Sequence, residues 1–208
     1  MTDRARIRRL PEKGVEDVAV LHAILDAARV AHVAFVDDGH PVNIPTGAAR
    51  DGDRLLLHGS TGSRMYRRLA SGVDVCVTVT LLDGMVLARS AFESSMHYRS
   101  AMVFGRATEV HDKAAALRTM SEAWLPGRWD TLRPPTPREL AATTVLALPL
   151  DEWSVKVSDG PPEDPDEDLD APVWAGVLPI VTSYGEPVPA PDLRGDPQPW
   201  SGRFTSGT

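Results

Sequence analysis

The sequence predicts a mainly β fold in which antiparallel strands form a barrel and helices lie only at its margins. Several runs of residues alternate between apolar and polar side chains, which is the period of a half-buried strand. Asp-Gly pairs separate successive runs, and this dipeptide is typical of turns between antiparallel strands. Helical patterns do not alternate with the strands, so a parallel sheet is not expected.

The first half of the chain contains one helix, a set of strands and a second, shorter helix. The apolar residues of segment 15–29 fall on one stripe, which predicts an amphipathic helix. Residues 63–71 predict a short helix that ends at Gly72. Val and Leu alternate with Asp, Cys and Thr from 73 to 81, which is the clearest strand pattern in the chain. Strands are predicted at 31–37, 41–49, 54–58, 73–81, 85–92 and 99–110, with a turn at Asp83-Gly84 between the fourth and the fifth.

The second half begins with a helix over 112–125, which Pro126-Gly127 stops. Another short helix starts at Thr136, because a Thr cap, Pro137 and Glu139 form the signature of a capping box. Segments 143–148 and 153–157 are extended again.

Composition limits the class of protein. The 208 residues are 42% hydrophobic, which is enough for one folded domain. The net charge of −7 argues against a general nucleic-acid binder, because binding to phosphate backbones needs an excess of Lys and Arg. No apolar run approaches the roughly 20 residues that span a bilayer. A single cysteine and no recognisable signal peptide favour a reducing cytoplasm.

Three divisions of the chain are expected. Residues 1–14 form a charged, flexible N-terminal arm, residues 15–184 the barrel domain, and residues 185–208 a tail rich in Pro and Gly. The acidic run from Glu163 to Asp170 is interpreted as a solvated loop.

Three polar segments could carry chemistry. His58-Gly-Ser-Thr-Gly-Ser-Arg64 joins a strand to a helix, and its free N–H groups, hydroxyls and guanidinium would suit an anion. Tyr98, Arg99 and Ser100 open a strand with groups that stack or donate hydrogen bonds. Segment 45–47 combines a proline, which cannot pair fully, with a glycine that lets a flat ligand approach. The alternatives are a Gly/Ser turn, a polar patch on an edge strand and a β-bulge, respectively.

No catalytic or metal site emerges from the sequence. The six histidines are scattered without metal-ligand spacing, and there is no Gly-x-Ser-x-Gly nucleophile motif. Cys76 lies in an apolar strand and is interpreted as an inert core thiol.

Taken together, these segments resemble the pyridoxamine 5′-phosphate oxidase-like FMN-binding split barrels, in particular the flavin-nucleotide-binding and nitroimidazole-resistance reductase branch. The resemblance covers about residues 15–180. Its most specific segments are 55–64, 75–84, 89–106 and 149–162. It implies a six-stranded antiparallel split barrel with flanking helices, and a homodimer with FMN in grooves at the subunit interface.

The resemblance also implies which residues contact FMN. The second strand faces the flavin ring, the turn after the next strand holds the phosphate, the start of the fifth long strand contacts the flavin again, and the C-terminal part of the partner closes the groove. The implied cofactor-binding residues are Asn43, Ile44, Pro45, Thr46, Gly47, His58, Gly59, Ser60, Ser63, Arg64, Tyr98, Arg99, Ser100, Lys156 and Trp174.

The function implied is an FMN-dependent oxidoreductase that passes hydride or electrons from reduced flavin to a small acceptor, possibly a nitro compound, with no catalytic side chain of its own. Arg64-Met65 stands where the oxidases have Arg-Lys, which argues against oxidation of pyridoxamine phosphate. Two alternatives are a flavin- or haem-binding module without turnover and a reductase that uses a deazaflavin.

Overall fold

The computed structural model describes residues 2–195, and the remaining part of the predicted tail lies outside the described residues. The strands are β1 (Gly14–Val15), β2 (Val30–Asp37), β3 (His40–Asp51), β4 (Arg54–Ser60), β5 (Val75–Leu87), β6 (Ser95–Gly105), β7 (Thr108–Glu109), β8 (Thr143–Pro149), β9 (Glu152–Ser158) and β10 (Gly176–Pro179). The helices are α1 (Val18–Ala27), α2 (Arg64–Ala70), α3 (Lys113–Trp124) and α4 (Pro137–Ala142).

Within residues 2–195 the ten strands form one antiparallel sheet in the order β1-β9-β6-β5-β2-β3-β4-β8-β7, with β10 paired to β5. Two long strands change partners along their length. The first part of β3 pairs with β2 and its end with β4, whereas β5 pairs first with β2 and then with β10. This exchange lets the sheet curve around a core. The predicted fold class, a mainly antiparallel β barrel with few helices, is confirmed.

The barrel core consists of the inward-facing residues of the strands, covered on one side by α1. Leu21 and Ile24 of α1 are fully buried against strand residues such as Val33, Val77 and Leu57. A second, smaller apolar cluster lies on the other face of β3, β4 and β8, where Met120 of α3 covers it. The helix α3 therefore packs on the outside of the barrel.

The predicted turn at Asp83-Gly84 is wrong. β5 continues through it to Leu87, and the pairing with β6 only shifts register between Leu82 and Gly84. This shift is a β-bulge, which Asp and Gly accommodate as readily as a turn. The chain reverses later, in the polar segment 88–94, and β6 begins at Ser95 rather than at 99.

The starts of α2, α3 and α4 lie within one residue of the predicted ones, whereas α1 begins at Val18 rather than at 15, because residues 14 and 15 form β1. The Thr136 hydroxyl accepts from the Glu139 N–H at 3.3 Å, and the Glu139 carboxylate accepts from the Thr136 N–H at 2.8 Å, which is the predicted capping box. Gly72 follows α2 with φ of +80°, the left-handed conformation expected after a helix.

The acidic run is only partly a solvated loop. Asp164 has a side chain that is 1% exposed, accepts from the Arg89 backbone N–H at 2.7 Å and pairs with the Arg89 guanidinium at 2.9 Å. It fastens the segment before β10 to the turn between β5 and β6.

Candidate functional site

A cavity of about 480 Å³ lies between the end of β4 on the outside of the barrel, the helix α3 and the irregular segment that follows α3. One polar ring, that of His58 at the end of β4, lines its barrel side. The remaining walls are mostly apolar or aromatic and include Leu117, Met120, Trp124, Leu125, Trp129 and Leu132. Its size and lining are those of a cofactor or small-molecule site.

His58 is half-buried, and its Nδ1 atom is buried without a hydrogen-bond partner. Burial lowers the pKa of His58 below its ordinary value because the charged imidazolium would lose its hydration. The side chain is therefore a neutral imidazole at neutral pH. A neutral imidazole beside an apolar cavity is a common metal ligand, and it can also accept a proton from a bound molecule.

Trp124, the last residue of α3, separates this cavity from strand β3. Its ring centroid lies 5.8 Å from that of His58, and its Nε1–H donates to the Ala48 carbonyl at 2.9 Å. On the other side, the ring lies against Gly47, where a Cβ atom would approach the indole to 2.6 Å. The close approach that Gly47 permits is thus made by a tryptophan of the same chain.

The predicted anion loop is already occupied by internal contacts. The Tyr66 hydroxyl bonds the His58 carbonyl and also pairs with the Thr46 hydroxyl, at 3.0 Å from the latter. A side chain at Gly59 would overlap the Tyr66 ring. The Ser60 hydroxyl accepts from the Gly62 N–H at 3.2 Å.

Arg64 does not project freely from this loop. Its guanidinium pairs with the buried carboxylate of Asp37, and also with Asp38 at 3.3 Å. Arg68 pairs with Asp37 at 2.7 Å. Ser63 caps α2 without a hydrogen bond from its side chain to the helix.

The strand register brings part of the predicted flavin-binding set onto one surface. Residues opposite each other in an antiparallel ladder project to the same side. The register can be followed from β3 to β9 across five neighbouring strands. Gly47 of β3 lies opposite Val30 of β2, and β2 pairs with β5. Thr80 of β5 lies opposite Ser100 of β6, which lies opposite Lys156 of β9. We call this side of β3, β2, β5, β6 and β9 the outer face. From the predicted set it carries Asn43, Pro45, Gly47, Tyr98, Ser100 and Lys156.

Other predicted residues lie elsewhere. Ile44 packs against the barrel core, and Thr46 points with it to the inner side. Arg99 pairs with Asp83 at 2.9 Å. Trp174 is 68% exposed and lies against Gly176 in the approach to β10. Lys156 donates to the Arg9 carbonyl at 2.9 Å.

The cavity cannot be predicted from local patterns, because its walls come from segments far apart in the chain. The spacing of Leu117, Met120 and Trp124 puts them on one face of the helix predicted over 112–125, but no pattern connects that face with His58. The signal that was present is the pair of tryptophans, Trp124 and Trp129, on either side of Pro126-Gly127.

Residues 2–195 contain neither a membrane-spanning helix nor a cluster of metal-binding side chains. No helix there is long and apolar enough to cross a membrane. No group of three or more His, Cys, Asp or Glu side chains in this part of the chain is placed to hold a metal ion.

Comparison with known proteins gives a consistent result. The family model for pyridoxamine 5′-phosphate oxidase matches residues 17–157. No curated protein matches the chain.

Two solved structures are similar over nearly the whole chain. The FAD and heme binding protein from Mycobacterium smegmatis is 48% identical with a TM-score of 0.87, covering 90% of this chain and 94% of that one. The flavocytochrome Anf3 from Azotobacter vinelandii is 41% identical with a TM-score of 0.89, covering 95% and 94%. A candidate 5-nitroimidazole antibiotic resistance protein from Bacteroides thetaiotaomicron is 24% identical with a TM-score of 0.57, covering 69% and 86%, and shares the fold.

Proposed function

Since the chain belongs to the pyridoxamine 5′-phosphate oxidase-like family of flavin-binding split barrels, we propose that it is a redox protein that binds both a flavin and a haem. The flavin part is supported by the family and by the outer face, where the Ser100 hydroxyl of β6 and Lys156 of β9 lie next to each other. The haem part is supported by the two relatives at 48% and 41% identity, one named for FAD and heme and the other a flavocytochrome.

The observation that carries the proposal is the neutral, unpartnered imidazole of His58 in a mainly apolar cavity. The Nδ1 atom is shielded from solvent, so the ring would present its other nitrogen, Nε2, to a ligand in the cavity. Imidazole nitrogen is a usual axial ligand of haem iron, and an apolar surround excludes water from the iron. The cavity, of about 480 Å³, is in the range of known cofactor pockets.

The residues that line the cavity would contact different parts of a bound haem. His58 would hold the iron, and the aromatic rings of Trp124 and Trp129 would pack against a flat macrocycle. Arg133 lines the same cavity, where its guanidinium is already paired with the Glu139 carboxylate. When bound, haem supplies a one-electron redox centre and flavin a donor of one or two electrons.

The experiment is a titration of the purified protein with hemin, followed by the Soret absorption band. We expect saturable binding by the wild type and the loss of most of the specific band in His58→Gln. His111→Gln is the matched control, because His111 is exposed and is not among the residues that line the cavity. Equal spectra in the two variants would refute the assignment of His58.

A second function uses the same cavity without haem. A flat aromatic or nitro-bearing acceptor would fit beside Trp124, whose other side contacts β3 of the predicted flavin site. The flavin would then reduce the acceptor, as the family resemblance implies. A protein that binds flavin but gives no Soret shift with hemin, and that is reoxidised by a nitroaromatic compound, would favour this function.

We also propose that the protein is a cytoplasmic homodimer with the flavin at the subunit interface. The predicted flavin-binding residues on β3 and on β6 and β9 are separated in the sheet by β2 and β5. Contributions from two copies would bring the two groups to one flavin.

A further inference from the structure

We propose that Lys13 and Lys156 form the site for the phosphate groups of the flavin, in place of the loop at Ser63 and Arg64. This inference deepens the proposed flavin function and concerns only which residues hold the charged end of the cofactor. It starts from the fact that Arg64, the cation expected to bind phosphate, is already compensated.

The loop around Arg64 offers little to an additional anion. The Arg64 guanidinium bonds Asp37, whose side chain is 3% exposed, and lies 3.3 Å from Asp38. A phosphate there would face two carboxylates, and like charges at this distance repel. The helix α2 after the loop has only seven residues, too few to supply a strong dipole.

The two lysines differ from Arg64 in having no carboxylate partner. Fourteen ion pairs link side chains within residues 2–195, and none includes Lys13 or Lys156. The Lys13 ammonium donates to the Ser158 hydroxyl at 3.0 Å, and the Lys156 ammonium donates to the Arg9 carbonyl at 2.9 Å. Each ammonium has three donors, so two remain on each.

The positions of the two lysines suit a phosphate or pyrophosphate group. Lys156 and Ser158 project from the same side of β9, about 7 Å apart along the strand. Ser158 is 6% exposed, so its hydroxyl fixes the Lys13 ammonium beside the strand. The Ser100 hydroxyl lies on the same surface, where it donates its hydrogen to the Lys156 carbonyl at 3.4 Å.

The N-terminal arm is held along β9 by contacts of its own. Arg4 makes a two-point contact with Glu152 of β9, and Ala5 is 2% exposed. The strand β1 pairs with β9 at Gly14↔Lys156, directly after Lys13. The arm thus carries Lys13 to the outer face, where Tyr98, Ser100 and Lys156 of the predicted flavin set lie.

The test uses three flavins that differ only in their phosphates. Protein stripped of flavin is titrated with riboflavin, FMN and FAD, and binding is followed by flavin fluorescence. The variants are Lys13→Gln, Lys156→Gln, the double variant and Arg64→Gln. Arg138→Gln is the control, because it removes one positive charge from an exposed position on α4.

The expected result is a loss of about tenfold to hundredfold in affinity for FMN and FAD in each lysine variant, which is the range for a charge-assisted contact. Riboflavin affinity should change less than twofold, and the control should leave all three affinities unchanged. A loss in Arg64→Gln with none in the lysine variants would overturn the proposal. An equal loss for riboflavin would also overturn it, because the lysines would then act on the ring or on the fold.

Failure of the proposed function has a different signature. A wild type that binds none of the three flavins would refute the flavin function itself and the site with it. A wild type that binds all three, with the lysine variants unchanged, would refute the site alone.

Discussion

The stability of the folded protein should depend on pH through His58. Burial lowers the pKa of its imidazole below the ordinary value of 6.5, whereas the unfolded chain restores that value. Below pH 6.5 the unfolded chain therefore takes up a proton at this site more readily than the native chain. The contribution of His58 to the free energy of unfolding therefore decreases as the pH falls from 6.5 towards the lowered pKa. Above pH 6.5 this contribution does not change with pH.

The corresponding prediction compares the wild type with His58→Gln in urea denaturation, without haem, at pH 5.0 and pH 7.5. The wild type should lose more stability than the variant between these two values, because glutamine does not titrate. A pH dependence of the same size in both proteins would contradict the buried, neutral state of His58.

Gly59 offers a prediction about packing at the residue scale. A methyl group there would overlap the Tyr66 ring, which holds the Thr46 hydroxyl and the His58 carbonyl. Because the ring must move, Gly59→Ala should destabilise the protein by about 1–3 kcal/mol in chemical denaturation.

The control for this change lies in the same loop. At Gly62 a Cβ would lie 3.5 Å from the Ser60 hydroxyl, which is ordinary contact, so Gly62→Ala should cost much less. Similar losses for the two variants would mean that Tyr66 does not restrict this position.

At the scale of elements, the alternating patterns and caps predicted most of the strands and helices. Each of those features is local, since a strand reveals its buried face through its own period of two. The prediction of a turn at Asp83-Gly84 was wrong because the conformation of this segment depends on its pairing with β10, about 95 residues further along the chain. A Cβ at Gly84 would lie 3.1 Å from the Leu178 carbonyl oxygen, so the absence of a side chain at Gly84 allows β10 to pack closely against β5.

The candidate site was predicted less completely for the same reason. Ser100 and Lys156 lie on the same surface because of the register between β6 and β9, which are distant in the sequence. Trp124 contacts His58 because α3 packs against β4. Both depend on tertiary contacts. The ion pair between Arg64 and Asp37 could not be predicted either, because the two residues lie on different elements.

The segment before β10 is fastened by one buried ion pair, and this gives a prediction at the element scale. Asp164→Asn would leave the Arg89 guanidinium without its carboxylate, and breaking a buried pair is strongly destabilising. We expect faster amide hydrogen exchange in residues 159–180, with little change in the barrel strands β2 and β4.

Asp170→Asn is the control for Asp164, because Asp170 is exposed on the same acidic segment. If both variants exchanged at the wild-type rate over 159–180, Asp164 would have no role in holding this segment.

On the scale of the whole molecule, one row of exposed apolar side chains crosses three strands. Leu178 of β10 lies opposite Met85 of β5, and Met85 lies opposite Met96 of β6. Their exposed fractions are 58%, 39% and 45%, respectively. A contiguous apolar surface of this kind on a folded chain marks an interaction site, and it supports the proposed homodimer.

The prediction is that the wild type sediments as a dimer at micromolar concentration and that Met85→Glu shifts it to monomer. Two copies of a charged residue facing each other across a twofold interface repel and lose hydration, so the effect of one substitution is doubled. Leu169→Glu is the control, since Leu169 is also exposed but lies outside the row. Monomeric wild type would refute the dimer and the interfacial flavin site together, whereas a dimer that survives Met85→Glu would place the interface on another surface. Retention of flavin by a monomeric Met85→Glu variant would show that one copy is sufficient to bind it.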